Sequence, residues 1–329
     1  MLTKPLFKSA YKLAEKTILV IGDIMLDEYH WCKVSRISPE APVPVCQVTE
    51  TTHVPGGASN VAHNIAELNC RPILFGVLGQ DSSGEKLLKL LKKNKVDTFG
   101  VATDENKPTI LKSRIIAHHQ HVARVDREST HAISRSLQNE IIKKLEKTIP
   151  NADAVLLSDY LKGTLSKNLI QKIITLAHTH NRIVIVDPKG TDYMKYKNAT
   201  LLTPNFSEFK EIIKKEVSKE KEIEVEAKKL IKKLHLKALL ITRSEKGMSL
   251  VTPNEKIDIE TQAKDVFDIT GAGDTVIATL SAALAAQLNF EEAAILANYA
   301  ASIVVGKVGT STTTLSELIT LLEKESTRP

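Results

Sequence analysis

Five short runs of apolar, largely β-branched residues recur along the 329-residue chain, at 16–22, 71–78, 154–157, 183–186 and 238–241. Each is too short for a globular helix and ends in polar, Gly or Pro residues, which is the pattern of a strand buried on both faces. Between them lie segments with apolar residues at helical spacing, at 57–68, 82–94, 167–178 and 223–234. In the last of these Ile223, Ala227, Leu230 and Leu234 fall on one face. Strands alternating with helices have to run parallel and be joined by crossovers, so the expected fold is α/β, a mostly parallel central sheet flanked by helices. Ligands of such sheets gather beyond the carboxyl ends of the strands. Polar groups stand at those ends here: Gly22-Asp23, Ser158-Asp159, Asp187-Pro188-Lys189 and Thr242-Arg243-Ser244.

Two segments, about 31–54 and 108–126, break the alternation. The first holds Pro39, Pro42 and Pro44, with Pro55 just after it, and an extended stretch at 43–48; the second holds extended stretches at 109–116 and 121–125. Proline removes ladder donors, so these strands do not belong in the central sheet. They are expected to form a small β-sheet lid over the site of one domain spanning 1–329. Residues 314–324 read as a closing helix.

The remaining numbers exclude more than they select. Lys and Arg exceed Asp and Glu by 45 to 39, a net charge of +6, but the lysines are scattered along helices and aromatics make up 4% of residues. Neither a phosphate-tracking patch nor a base-stacking platform is present, so no nucleic-acid partner is expected. Solvated helix faces or an anionic small substrate account for the excess. Cys32, Cys46 and Cys70 lack metal or disulfide spacing, and His118, His119 and His121 in an extended stretch point to different faces. No apolar leader or bilayer-length run appears, so the expectation is a cytoplasmic protein without a membrane partner.

The stretch that carries chemistry is Asp268-Ile269-Thr270-Gly271-Ala272-Gly273-Asp274, followed by small apolar residues to Leu288. A Gly-Ala-Gly turn opening a helix presents free N–H groups and the positive helix end, which together hold anions. A carboxylate beside that cradle would repel phosphate if binding were its only task. Asp274 is either a first-turn partner of the helix dipole, or a base that takes a proton from a hydroxyl while Gly271, Ala272 and Gly273 hold a phosphoryl group in flight. The second arrangement is that of a kinase acting on an alcohol.

Other groups admit two readings each. Asp23 and Asp27, just past the first strand, either cap a turn or take paired hydrogen bonds from sugar hydroxyls. Gly56 and Gly57 before Asn60 form a turn at a helix start. Asn205 and Glu208 suit an N-cap and its capping-box partner, and Glu208 is also an oxygen donor for Mg²⁺. Lys189 ends a buried strand as a point charge for phosphate, and Arg36, Arg114 and Arg124 lie on the lid as further candidates.

With Pro55-Gly56-Gly57-Ala58-Ser59-Asn60 and the Asp268–Asp274 stretch, the sequence resembles the ribokinase-like (PfkB) sugar kinases. Residues 35–44, 156–163, 187–192, 201–205 and 242–248 are similar, more narrowly, to the heptose 7-phosphate kinases of lipopolysaccharide core synthesis, from about 18 to 316. The resemblance implies a ribokinase-like fold and Asp274 as base. It also implies sugar contacts from Asp23, Asp27, Gly56, Gly57, Asn60 and Lys189. Nucleotide contacts would come from Asn205, Phe206, Ser207, Glu208, Thr242, Ser244, Gly247 and Asn298, with residues 309–311 closing the pocket. It implies ATP and Mg²⁺, the latter through Glu208 and water, a monovalent cation such as K⁺ at Asp268 and Thr270, and a homodimer joined through the lid. Ser244 departs from the resembled T-x-G-x-x-G loop, which has glycine there. Many such enzymes carry a second, nucleotidyltransferase domain; with no H-x-G-H motif, this sequence is expected to match the kinase alone.

Overall fold

The structure, a computed structural model, describes residues 3–118, 120–263, 266–307 and 311–327. Its strands among these residues are β1 Thr17–Gly22, β2 Ile24–Ile37, β3 Pro44–Gly57, β4 Arg71–Gly79, β5 Asp97–Asp104, β6 Ile110–Ala117, β7 Gln120–Arg127, β8 Ala154–Ser158, β9 Ile183–Asp187, β10 Leu201–Leu202, β11 Ala238–Thr242, β12 Met248–Val251 and β13 Lys256–Ile259. The α-helices are α1 Thr3–Ala10, α2 Ala58–Glu67, α3 Ser82–Lys93, α4 Arg135–Thr148, α5 Lys167–Thr179, α6 Phe206–Ile213, α7 Glu220–Leu234, α8 Ala272–Ala285, α9 Phe290–Val305 and α10 Leu315–Ser326.

Nine strands form the main sheet in the order β13-β12-β11-β10-β9-β8-β1-β4-β5, and only the β12 and β13 pairings are antiparallel. Along β1 the side chains of Ile18 and Val20 enter one apolar layer and those of Leu19 and Ile21 the other, as strand alternation requires. The first layer packs α2, α8, α9 and α10 on one face; the second packs α4, α5 and α7 on the other. Helix α8 is a run of Ala, Ser, Thr and single larger residues buried on all sides, so its backbone lies close to the sheet. Register then assembles the site: Gly22 of β1 pairs with Ser158 of β8, which pairs with Asp187 of β9. The three carboxyl ends thus stand side by side at the mouth where α8 begins.

The lid is a separate four-stranded sheet in the order β3-β2-β6-β7, parallel between β2 and β6 and antiparallel elsewhere. It is larger than expected. Its two first strands are 14 residues each, and pairing runs to Ile24 and Gly57 instead of stopping near 31 and 54. Pro44 begins β3 and Pro55 lies on that strand's course at the sheet edge, where a missing donor costs little. Asp27 and Gly56 are therefore lid-strand residues, and Gly57 ends the strand where the chain turns into α2. Residues 201–205, which carried part of the resemblance, begin with the two-residue strand β10, while β5, β12, β13, α1 and α4 carry no pattern that marks them in the sequence.

Candidate active site

Gly271, with φ +81°, caps α8 in a left-handed conformation that glycine adopts without strain. The Ala272 amide turns back to the Ile269 carbonyl at 3.2 Å, so Ala272 leaves the expected anion hole. The amides of Gly273 and Asp274 belong to the first helical turn, where N–H groups lack a partner within the helix. Gly271 and Gly273 line the cleft, and a Cβ on Gly273 would meet nothing within 4 Å. Packing therefore does not demand glycine at 273, which leaves bare backbone facing the open cleft.

Asp274 is 8% exposed, and each oxygen is held: Asn60 Nδ2 donates to Oδ2 at 2.7 Å and Tyr160 Oη to Oδ1 at 2.7 Å. Burial pushes its carboxyl up to about 6, helped by the negative charge of Asp27, while the two hydrogen bonds pull the other way. Asn60 is itself backed by Asn64, whose Nδ2 donates to the Asn60 carbonyl at 2.9 Å and whose Oδ1 accepts from Thr275 at 2.8 Å. The sequence-level reading gave Asn60 to the sugar; here its amide nitrogen is spent on the base.

Asp23 requires a correction. It is fully buried, and its carboxylate accepts backbone amides of Tyr160 (2.9 Å), Lys162 (3.0 Å) and Thr164 (3.0 Å). No oxygen faces a substrate; the residue clamps the loop after β8. Lys107, also buried, donates to the His131 and Lys162 carbonyls of the same region, at 3.0 Å for the former. Asp159 accepts from Lys195 Nζ and Tyr196 Oη, both at 2.7 Å. Two satisfied carboxylates and two satisfied ammonium groups thus fix this loop.

On the sugar side Asp27 pairs with Arg114 at 2.8 Å, and the guanidinium sits 5.2 Å from the centre of the Tyr29 ring. Burial raises the Asp27 carboxyl despite that neighbour. Gly56 is needed for space, because a Cβ there would lie 2.8 Å from Asp27 Oδ2. Gly57, at φ +53°, turns the chain from β3 into α2. Arg36 is exposed and Arg124 pairs with Asp126 at 3.0 Å; neither lines the cleft.

A cleft of about 220 Å³ is lined by Asp159, Tyr160, Asp187, Lys189, Thr203, Asn205, Glu208, Thr242 and the start of α8. Asn205 and Glu208 form a full capping box, with Asn205 Oδ1 accepting from the Glu208 amide at 2.9 Å and Glu208 Oε2 from the Asn205 amide at 3.0 Å. The other Glu208 oxygen meets Lys189 Nζ at 2.5 Å. Lys189, for which the resemblance implies a sugar contact, stands beside the capping box in the cleft that Asp274 also lines. Burial would lower its ammonium, but Glu208 outweighs that and raises it. Asp187, which the sequence reading left without a role, lies between these groups and the base. Burial, then Asp274 and Glu208, hold its carboxyl well above the usual range. Asp187 and Glu208 bring carboxylate oxygens, the donor type of a hard cation such as Mg²⁺, to this cleft, but both Glu208 oxygens are engaged by the Asn205 amide and Lys189, which suits contact through water rather than direct ligation.

Two expected nucleotide residues fall elsewhere. Phe206 packs under Arg243, whose guanidinium carbon is 5.5 Å from the ring centre, and Ser207 is exposed and borders a different depression with Lys210 and Glu211. Periodicity explains this: after the Asn205 cap, only the fourth residue of N-x-x-E returns to the cleft. Ser244 has φ +52°, so a serine takes the left-handed turn where the resembled loop has glycine, and Gly247 follows at φ +75°. Asn298 is buried and donates to the Glu260 carbonyl at 2.6 Å, tying α9 to the segment after β13. Asp268 Oδ1 accepts the Thr270 amide at 2.9 Å. Gly309 and Thr310, like His119, lie outside the described residues.

Tyr160, Asp159 and Lys107 were missed as site residues. The one signal was position, since Ser158-Asp159 ends a strand at the ligand-binding edge. The Asp23 clamp has a direct test. Asp23→Asn keeps the shape but turns an NH₂ toward backbone donors, so urea unfolding should show a loss of about 2–3 kcal/mol. An unchanged midpoint would mean the three amides do not depend on the carboxylate.

The sequence profile of the "pfkB family carbohydrate kinase" matches residues 15–317. The chain is 49% identical over 313 residues to "Bifunctional protein HldE" of Haemophilus influenzae (strain PittEE), covering 95% of this chain and 64% of that protein. It is 47% identical to the protein of that name from Pasteurella multocida (strain Pm70), again over 95% of this chain and 65% of the relative. The chain thus spans slightly under two thirds of the relatives' length. Among solved structures, Arabidopsis thaliana ribokinase complexed with ribose and ATP superposes with a TM-score of 0.75 at 21% identity, over 94% of this chain and 99% of that one. Phosphofructokinase-2 from Escherichia coli in complex with potassium gives 0.77 at 20%, over 95% and 99%. The fold is thus ribokinase-like, and the chain belongs to the pfkB family of carbohydrate kinases, which are ATP-dependent sugar kinases.

Proposed function

We propose that the protein transfers the γ-phosphoryl group of ATP to the anomeric O1 of D-glycero-D-manno-heptose 7-phosphate, giving the 1,7-bisphosphate and ADP on the route to ADP-heptose. The observation that carries the reading is Asp274, a buried carboxylate with a raised pKa at the amide-lined start of α8, between the lid and the Glu208 cleft. The likeness of residues 35–44 and 187–192 to heptose 7-phosphate kinases, and the identity to bifunctional HldE proteins, select the acceptor.

Asp274 takes the O1 proton as O1 bonds to phosphorus and the bond to the ADP oxygen breaks. The Gly273 and Asp274 amides face the developing charge on the transferred oxygens. Asp27, held by Arg114, and the bare backbone of Gly56 and Gly57 receive the sugar. Lys189 sits where a triphosphate would lie. Asp187, and Glu208 through water, would hold Mg²⁺, which would supply charge neutralisation for the phosphates. Closing the lid excludes water as a competing acceptor.

Three finer statements complete the reading. A K⁺ site at Asp268 and Thr270 should make turnover rise with K⁺ over Na⁺; equal rates in both would remove it. The exposed Ile37, Val43, Val48, Val122 and Val125 of the lid support a homodimer there, and a monomeric mass by light scattering would exclude it. A cytoplasmic location follows from the substrate; among the described residues no helix is long and apolar enough to cross a membrane.

The decisive assay measures ADP release with heptose 7-phosphate, fructose 6-phosphate and ribose. Turnover is expected with the heptose alone, and Asp274→Asn should lower it by roughly 10³-fold. Because the base works only when ionised, kcat/KM should fall with unit slope below about pH 6. Turnover on fructose 6-phosphate or ribose instead would keep the kinase and replace the acceptor with another sugar phosphate or a nucleoside-like sugar.

A further inference from the structure

Asp274 is held on both oxygens, but by groups of different kinds. Asn60 is 2% exposed and stands behind the carboxylate, whereas Tyr160 lines the cleft and brings its phenol to Oδ1 from the ligand side. The phenol's place is built. Its loop is fastened by three amides on Asp23, by Lys107 on two carbonyls, and by Asp159 on Lys195 and Tyr196. Gly163 within it has φ +92° and lies so near the His131 carbonyl that an added Cβ would be 2.1 Å from that oxygen. So much backbone fixation around one exposed-edge phenol is unnecessary for packing alone.

We infer that Tyr160 is a positioning residue for phosphoryl transfer: its O–H orients the Asp274 carboxylate and holds it ionised, leaving the remaining lone pairs for the acceptor hydroxyl. The inference rests on the kinase reading of Asp274. Its physical basis is the setting. Asp27 approaches from β2, Asp159 from the same loop as Tyr160, Asp187 and Lys189 from the end of β9, and Glu208 from α6. The nearest cations are already engaged, Arg114 with Asp27 and Lys189 with Glu208. Burial, and after it the carboxylate of Asp27, therefore favour the protonated form of the base, which cannot accept the sugar proton. Asn60 and Tyr160 are the hydrogen-bond donors that touch it and favour the anion.

Tyr160→Phe removes one oxygen and keeps the ring. In the substrate-free protein, the ¹³C resonance of the Asp274 carboxyl, assigned by its absence in Asp274→Asn, should titrate about one pH unit higher in Tyr160→Phe than in the wild type. A fluorotyrosine at 160, a stronger donor, should move the midpoint down. With ATP and heptose 7-phosphate, kcat should fall roughly tenfold, the acid limb should shift upward, and KM for ATP should stay within about twofold. Unchanged carboxyl midpoints in both variants, or a kcat loss equal at every pH, would reduce Tyr160 to packing and overturn the inference. Absence of wild-type turnover on the heptose would instead remove the acceptor assignment, and the carboxyl titration alone would then decide the role of Tyr160.

Discussion

Keeping a charged carboxylate buried at the start of α8 is the constraint to which the surrounding structure answers. With its pKa pushed up to about 6 from the usual carboxylate range, ionising Asp274 in the folded chain costs roughly 3 kcal/mol more than ionising an ordinary Asp. The sign follows from that shift: the folded protein holds this proton more tightly, so the cost is absent in acid and grows as pH rises through the folded pKa. That cost is already net of two 2.7 Å hydrogen bonds, without which burial would push the carboxyl higher still. Those donors need support of their own, and it extends through Asn64 and Thr275 on one side and through the Asp23 clamp on the other. A family of neutral and charged groups, none with an apolar equivalent, is thereby fixed in the middle of an apolar fold.

The same residues join the lid to the base. β1 ends at Gly22, Asp23 follows, and β2 leaves for the lid at Ile24. The lid returns through β3 to Gly57, whose positive φ feeds α2 and, three residues on, Asn60. Gly22 admits no side chain, because an added Cβ would lie 2.1 Å from the Ser158 carbonyl on the neighbouring strand. Both ends of the lid are thus rooted within a few residues of groups that hold Asp274.

Much of this was legible before any coordinates. Runs such as 154–157 and 183–186 are buried on both faces, so composition alone marks them, and the Gly-rich turn at 271–273 announces a helix start wherever it occurs. β5 and β13 were not legible, since edge strands with Asp, Lys and Thr on exposed or half-buried positions resemble loops, and β12 is buried but only four residues long. The site divides in the same way. Asp274, Glu208 and Asp27 stand in local motifs and could be read. Asp23 could not be told from Asp27 by type or by neighbourhood, because what separates them is which backbone amides fold back from 137 to 141 positions away. Lys189 and Tyr160 have partners equally remote from any local pattern. Sequence patterns report which face a residue takes; who meets it there is decided by the tertiary register.

The central claim is that Asp274 activates the anomeric hydroxyl of a heptose phosphate. Proton–phosphorus correlation NMR on the product of a complete reaction tests it most directly, because it locates the new ester without assuming a site. The account predicts a second phosphorus coupled to the anomeric proton, formed by the wild-type protein and not by Asp274→Asn. A new phosphorus coupled to any other sugar proton, or an anomeric phosphate still formed at the wild-type rate by the variant, would contradict it.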